Sequence, residues 1–280
     1  MRRSITAAIL LITGILVVSR GAEPKNDFRF AIIGDRTGTA IPGVYERVLS
    51  EAALMNPDFA INVGDTIEGV KDELAESQWR EARALQSRYK FPFYFTPGNH
   101  DIWSERSLAI YKKQTGRSNC YSFDFQGAHF TVLDNSRTLE LDDDQLKFLE
   151  DDLKANRERS PKFIFFHKPY WIAFLMLGSG EFPLHQLARK YGADYIISGH
   201  GHQFMRMTRD GITYMAVGSS GARLKGEGFA GGWFYHHVQA VVKGSKVELT
   251  VKELDSAAAK GRRFHAEEWD ASGPKFKIEP

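Results

Sequence analysis

Short apolar runs alternate with amphipathic and charged stretches through the first part of the chain, and that rhythm predicts strands and helices in turn. Phe28 to Ile33 is mostly apolar and stops at Gly34, as a buried strand does. Pro42 opens a helix with Val44, Val48, Leu49 and Ala52 on one face. Phe59 to Val63 predicts a second strand, ending at Gly64. A charged helix follows from about Lys71 to Arg88, then a third strand over Phe93 to Thr96, stopped by Pro97-Gly98. Such alternation builds parallel βαβ units with short functional loops at the carboxyl ends of the strands.

The middle of the chain changes character. Tyr121 to Phe125 and His129 to Leu133 flank Gln126-Gly127, a hairpin pattern. Asp142 can cap a helix in which Leu146, Leu149 and Leu153 share a face. Lys162 to Phe166 and Tyr195 to Ser198 are further buried strands. Beyond His202 the pattern is all strand: Phe204 to Thr208, Ile212 to Val217, Trp233 to Val242 and Val247 to Leu254. Asp210-Gly211 and Lys243-Gly244-Ser245 supply turns. These elements predict a single α/β fold, a four-layer α/β/β/α sandwich of two mixed sheets, one from each half, with the helices outside. The polar, basic, non-periodic residues 256–280 predict a tail that lies on the surface or is partly disordered.

The N-terminus changes the picture of charge. Met1-Arg2-Arg3, the apolar run Ile5 to Val18 and the small residues Ser19 and Gly21 read as a signal peptide over residues 1–21, leaving a domain over 22–255. The run is short for a membrane anchor, so the mature chain is expected to be secreted or periplasmic, with no membrane span. The segment carries three arginines and no acids, so its removal takes the formal charge from +2 to −1. Nucleic-acid or anionic-membrane binding therefore loses its electrostatic support. The single cysteine, Cys120, excludes an internal disulfide and is expected to be buried and inert.

Five stretches carry candidate chemistry: Gly34-Asp35-Arg36-Thr37, Gly64-Asp65-Thr66-Ile67-Glu68, Gly98-Asn99-His100-Asp101, His167-Lys168-Pro169 and Gly199-His200-Gly201-His202. Each follows an apolar run and sets Asp, Asn or His beside Gly or Pro. Together they read as a metal centre of oxygen and imidazole ligands without thiolate, which suits Zn, Mn or Fe better than Ca.

This ordered set resembles the calcineurin-like metallophosphoesterase superfamily over residues 28–254. Phe166-His167-Lys168-Pro169-Tyr170 is similar to its purple-acid-phosphatase-like branch. The resemblance implies the metallophosphatase fold, a phosphorylated small-molecule substrate and two metal ions, Mn, Fe or Zn. Asp65 would bridge the ions, Asn99, His167 and His200 would hold one, and Asp35 and His202 the other. A pair of ions ~3.5–4 Å apart needs a shared anion, and a carboxylate serves. His100 would protonate the leaving oxygen of a phosphomonoester or phosphodiester.

The chain departs from the family pattern at two positions. Thr37 stands where most members have a ligand His. Glu68 stands where purple acid phosphatases have a ligand Tyr, and where the Ser/Thr-phosphatase branch has an acid that orients the catalytic His. Glu68 is therefore either a substitute ligand or a partner of His100, and both readings stay open here. Gly69 replaces that branch's phosphate-holding Arg. Thr37 also supports an alternative function: a degenerate member that binds one metal, or a phosphorylated ligand, without turnover. Arg36 and Lys168 lie beside ligands and are either phosphate contacts or solvated charges. His129, His185, His236, His237 and His265 are expected to be structural or surface residues. Asp134 is expected to cap a turn. The apolar stretch Trp171 to Leu177 either borders the substrate cleft or packs away.

Overall fold

The computed structural model describes residues 27–178, 182–256 and 260–278, so the predicted export segment lies outside the described residues. Among the described residues no helix is long and apolar enough to cross a membrane. The first part of the chain alternates as its pattern predicts: β1 (Asp27–Ile33), α1 (Val44–Ala53), β2 (Phe59–Asn62), α2 (Asp72–Gln86), β3 (Phe93–Tyr94) and α3 (Glu105–Thr115). The middle holds β4 (Tyr121–Phe125), β5 (Ala128–Val132), α4 (Asp143–Ala155), β6 (Lys162–Phe165), α5 (Trp171–Met176), α6 (Pro183–Tyr191) and β7 (Tyr195–Ser198). Antiparallel strands β8 (Met205–Arg209) and β9 (Ile212–Ala216) follow, then β10 (His236–Lys243), β11 (Lys246–Glu253), β12 (Arg263–His265), β13 (Trp269–Asp270) and β14 (Gly273–Pro274).

Two six-stranded mixed sheets result, ordered β12-β11-β10-β1-β2-β3 and β4-β5-β6-β7-β9-β8. The expectation of one sheet from each half is corrected here. β10 pairs antiparallel with β1 along its whole length, from Asp27 against Lys243 to Ile33 against His237. β1 thus gains a partner on each side, and the C-terminal strands extend the first sheet.

Alternation along β1 sets the layers. Phe28, Phe30 and Ile32 point between the sheets and meet Phe130, Val132, Phe163 and Phe165. Phe30 packs edge-on against Phe130 and Phe163, with ring centroids 5.4 and 5.3 Å away. Each such buried ring contributes about 1.5–3 kcal/mol. Ala31 and Ile33 point the other way, onto Val44, Val48 and Leu49 of α1. On the second sheet's outer face, Leu149 and Leu153 of α4 and Leu184 and Ala188 of α6 cover Ile164 and Ile196.

The third strand is shorter than predicted because side chains replace its ladder. The Phe95 amide donates to the Tyr121 hydroxyl and the Thr96 amide to Asn62 Oδ1. The segment after Asp255 also differs from its prediction as a surface tail. β12 pairs with β11, and Phe264, Ala266 and Trp269 are buried in the core between the sheets. Three apolar residues inside a polar segment suffice to dock it. The stretch from Trp171 forms α5 rather than a loop: Trp171 is buried, whereas Met176 and Leu177 are exposed.

Candidate metal centre

Every sequence-predicted ligand lies in a loop just beyond the carboxyl end of a parallel strand. Asp35 follows β1, Asp65 follows β2, Asn99 and His100 follow β3, His167 follows β6, and His200 and His202 follow β7. The strands are held by two packed sheets, so loops that are far apart in sequence converge at one edge of the sandwich.

Asp65, His167 and His200 form the tight part of the cluster. His167 Nδ1 donates to the Val63 carbonyl at 2.8 Å, which aims Nε2 at the centre. Around that nitrogen stand Asp65 Oδ2 at 3.2 Å, Asn99 Oδ1 at 3.1 Å and His200 Nδ1 at 3.2 Å. Three acceptor atoms around one ring nitrogen cannot all be satisfied by one proton; a cation satisfies them together. Burial lowers the proton affinity of His167, but the charge and hydrogen bond of Asp65, the Asp35 charge and the Val63 carbonyl together outweigh it and hold its pKa up at about 9. Burial likewise raises Asp65, yet the charge and hydrogen bonds of His167 and His100 together bring it down to about 2. A metal ion between them would displace that proton. Burial and the charge of His167 push His200 down to about 4, so it is a neutral imidazole, the form that ligates.

The other part is looser. Asp35 is fully buried and neither of its carboxylate oxygens has a hydrogen-bond partner. Its Oδ1 lies 3.8 Å from His167 Nδ1 and its Oδ2 lies 3.8 Å from His202 Nε2. Burial drives this carboxyl well above the usual range. An anion buried without donors is costly unless it is paired with a cation, so the residues on this side also fit a metal ion. The Arg223 carbonyl accepts from His202 Nδ1 at 2.7 Å and fixes that ring, with Nε2 toward Asp35.

His100 is tied to both Asp65 and Glu68. Its amide donates to Asp65 Oδ1 at 3.0 Å, and its Nδ1 donates to the Glu68 carbonyl at 2.6 Å. Its Nε2 faces Gly38, beside the His202 ring: a Cβ on Gly38 would sit 4.0 Å from His100 Nε2 and 2.7 Å from His202 Cε1. Gly98 is required for a similar reason, because a Cβ there would come within 2.2 Å of Asp65 Oδ1. The ligands themselves carry the tight turns. Asp65, His200 and His202 have φ of 52°, 67° and 59°, a left-handed conformation that non-glycine residues adopt at a cost.

The two departures from the family pattern have definite places. The Thr37 hydroxyl is buried against the Asp65 and Ile67 carbonyls, at 2.9 and 2.6 Å. The Glu68 carboxylate accepts from the Thr39 and Ala40 amides, at 3.2 and 2.6 Å, and is not brought into the cluster. Glu68 does orient His100, but with its backbone carbonyl. Arg36 pairs with Glu81 and donates to the Thr66 carbonyl, while Lys168 donates to the Ser136 and Thr138 carbonyls. Asp134 caps a turn at the Ser136 amide.

Several supporting residues stand outside the predicted set of ligands and catalytic groups. Asn135 Oδ1 accepts from the His167 and Lys168 amides, at 3.1 and 3.0 Å. Asp101 accepts from the amides of Thr66, Ile67 and Gly98 and so ties the Asp65 loop to the Asn99 loop. Burial and the charge of Asp65 push its pKa up to about 7. The loop after β9 braces Asp35: its amide donates to the Gly218 carbonyl, and its carbonyl accepts from Ser220 and Ala222. Asn135 and Gly218 each follow a strand end, the same position as the ligands, and that placement is the signal that marks them.

Of the other histidines, His129 bridges Asp124 and Asp152, and His185 bridges the Tyr214 hydroxyl and Asp210. His236 and His237 are both buried. Cys120 is partly buried, and burial pushes its thiol up to about 12, so it is a poor nucleophile.

Comparison with known proteins agrees with this geometry. No curated protein matches the chain in sequence. Among solved structures, purple acid phosphatase PPD1 from yellow lupin seeds superposes with a TM-score of 0.64 at 15% identity, over 85% of this chain and 53% of that one. This chain thus spans about half of the lupin protein's length. A dimetal phosphatase from Danio rerio gives a TM-score of 0.62 at 14% identity, over 85% of this chain and 98% of that one. GAP50, described as the anchor in the inner membrane complex of Plasmodium, gives 0.61 at 13%, over 85% and 89%. At these identities the likeness is one of fold. The sequence profile of the calcineurin-like phosphoesterases matches residues 28–204, well over half of the chain. With ligand-bearing loops at the strand ends and a buried oxygen–imidazole cluster among them, the chain belongs to the calcineurin-like phosphoesterase family, hydrolases that act on phosphoric ester bonds.

Proposed function

We propose that the protein is an exported phosphoesterase that cleaves phosphomonoesters or phosphodiesters of small molecules at a centre of two metal ions, Mn, Fe or Zn. The observation that carries this reading is the pair of buried carboxylates beside the His167 ring, Asp65 Oδ2 at 3.2 Å from Nε2 and Asp35 Oδ1 at 3.8 Å from Nδ1. Asn99 and His200 stand at the same Nε2, and His202 stands beside the donorless Asp35 carboxylate. When bound, such ions neutralise phosphoryl oxygens and supply a nucleophile at neutral pH. The protein's part is to hold that charge and to move a proton. His100 is fixed through Nδ1 on the Glu68 carbonyl, so Nε2 is the atom that gives a proton to the leaving oxygen. Elemental analysis of purified protein with a panel of phosphomonoesters and diesters tests the reading. His200→Ala and Asn99→Ala should lose metal and turnover together; a variant with full turnover overturns it.

Export rests on Arg2-Arg3, the apolar run Ile5 to Val18 and the small residues before Ala22. N-terminal sequencing of the extracellular or periplasmic form should begin near Ala22. An intact Met1 on soluble cytosolic protein refutes it.

A second reading, a single-metal or non-catalytic phosphate binder, is favoured by Thr37, whose hydroxyl serves two carbonyls where relatives place an imidazole. One metal per chain and no hydrolysis of a chromogenic phosphomonoester would establish it.

A further inference from the structure

We propose that Lys225, on the loop between β9 and β10, is the residue that contacts the substrate's phosphoryl group and favours phosphomonoesters over diesters. This deepens the reading above and rests on it.

Arg36, Lys168 and Lys225 lie close to the predicted ligands, and the first two are committed. Arg36 is held by Glu81 and the Thr66 carbonyl, and Lys168 by the Ser136 and Thr138 carbonyls. Lys225 differs. Its side chain is exposed, and its ammonium donates to the His200 backbone carbonyl at 3.0 Å, with no carboxylate partner among the described residues. One neutral acceptor leaves an ammonium with two further donors.

The same loop fixes where that ammonium sits. Gly218, Ser220 and Ala222 bind the Asp35 backbone, and the Arg223 carbonyl holds the His202 ring. Two residues on, Lys225 reaches the carbonyl of the other histidine of the Gly199-His200-Gly201-His202 motif. Its base is thus anchored to ligands of both halves of the centre.

The chemistry of the ligand follows from charge. A phosphomonoester carries about 1.5–2 negative charges at neutral pH and has three unesterified oxygens. A diester carries one charge and has two. An extra ammonium outside the Asp35 and Asp65 set therefore gains more from the monoester. A lysine acts as a point charge on phosphate and needs no planar match, so a loop position serves.

The test uses the metal-loaded protein and inorganic phosphate as probe, measured by calorimetry, beside steady-state kinetics on an aryl phosphomonoester and an aryl phosphodiester. Lys225→Gln should weaken phosphate binding and raise the monoester KM by about 10–100-fold, the range for one lost charge-assisted hydrogen bond. Metal content should hold, kcat should move less than KM, and the diester should lose less than the monoester. Lys225→Arg should restore much of the affinity. A parent that binds phosphate and turns over, with Lys225→Gln equal to it, overturns the role of Lys225 alone. Equal losses on both esters overturn the monoester preference. A parent that neither binds phosphate nor hydrolyses either ester overturns the reading it rests on.

Discussion

In the proposed two-ion centre the two halves share Asp65 but are built differently. Around His167 Nε2, Asp65, Asn99 and His200 crowd within 3.1–3.2 Å. Around Asp35 the His167 and His202 ring nitrogens stand 3.8 Å away, and neither carboxylate oxygen has a hydrogen-bond partner. The first half has four donor residues; the second has Asp35, His202 and the shared Asp65. Donor number and preorganisation set metal affinity, so the His167 side should hold its ion more tightly than the Asp35 side.

The largest effect that could break this comparison is loss of the shared ligand. Asp65→Ala should empty both halves and cut turnover by about 10⁴-fold or more, since metal ions supply several kcal/mol of transition-state stabilisation. Elemental analysis checks it: a variant that keeps an ion on either side shows that the halves do not depend on Asp65.

His100 comes next, because it separates chemistry from metal. His100→Asn should leave metal content nearly unchanged and lower turnover by ~10²–10⁴-fold. The loss should shrink for esters with good leaving groups, which need little protonation. An equal loss across leaving groups means that His100 does something other than donate a proton.

Asp35 sharpens the asymmetry directly. Asp35→Asn removes the charge of the looser half and leaves Asn99, His167 and His200 untouched. Bound metal should fall from about two ions to one per chain, with the more weakly held ion lost; chelator titration of the parent should release its two ions in two steps. A single step, or loss of both ions from Asp35→Asn, removes the distinction between the halves.

Much of this centre could be read from the chain, because a buried strand that ends in a polar ligand beside Gly or Pro is a local pattern. The strands β1, β2, β6 and β7, and the ligands beyond them, follow from it. What escaped the pattern depends on distant partners. β10 joins β1 because their registers match, which no local window contains. Phe264 and Trp269 are sparse apolar residues in a polar segment, so their burial shows only when the core is assembled. Helices α3 and α6 do carry local signals, a Ser104 cap ahead of Gly116 and Pro183 ahead of Gly192, though their apolar stripes are thin. Glycines ahead of the ligands mark tight turns, and at Gly64 the backbone is left-handed as expected; that Asp65, His200 and His202 also take the left-handed backbone has no local signal. Lys225 has no motif, and only its reach to the His200 carbonyl places it.

The smallest expected effect belongs to Glu68, and it bears on how the looser half is completed. The sequence allows Glu68 to be a ligand in place of the missing imidazole, or a partner of His100. The structure gives its carboxylate to the Thr39 and Ala40 amides and its carbonyl to His100 Nδ1. Glu68→Gln keeps the carbonyl and keeps one side-chain acceptor. It should therefore lose only part of an anchor for the loop that carries Thr37 and Gly38, a cost of about 1–2 kcal/mol. Metal content should stay at the parent value and turnover should fall by no more than about 10-fold. Were the carboxylate a ligand, occupancy of the looser half would collapse instead, by more than the 10–100-fold typical of an outer partner. Thr37→His in that background would then restore the ion. If Glu68→Gln does drop the chain to one ion and Thr37→His does rescue it, the carboxylate turns from the amides to the metal on loading, and the two halves are less unequal than their geometry implies.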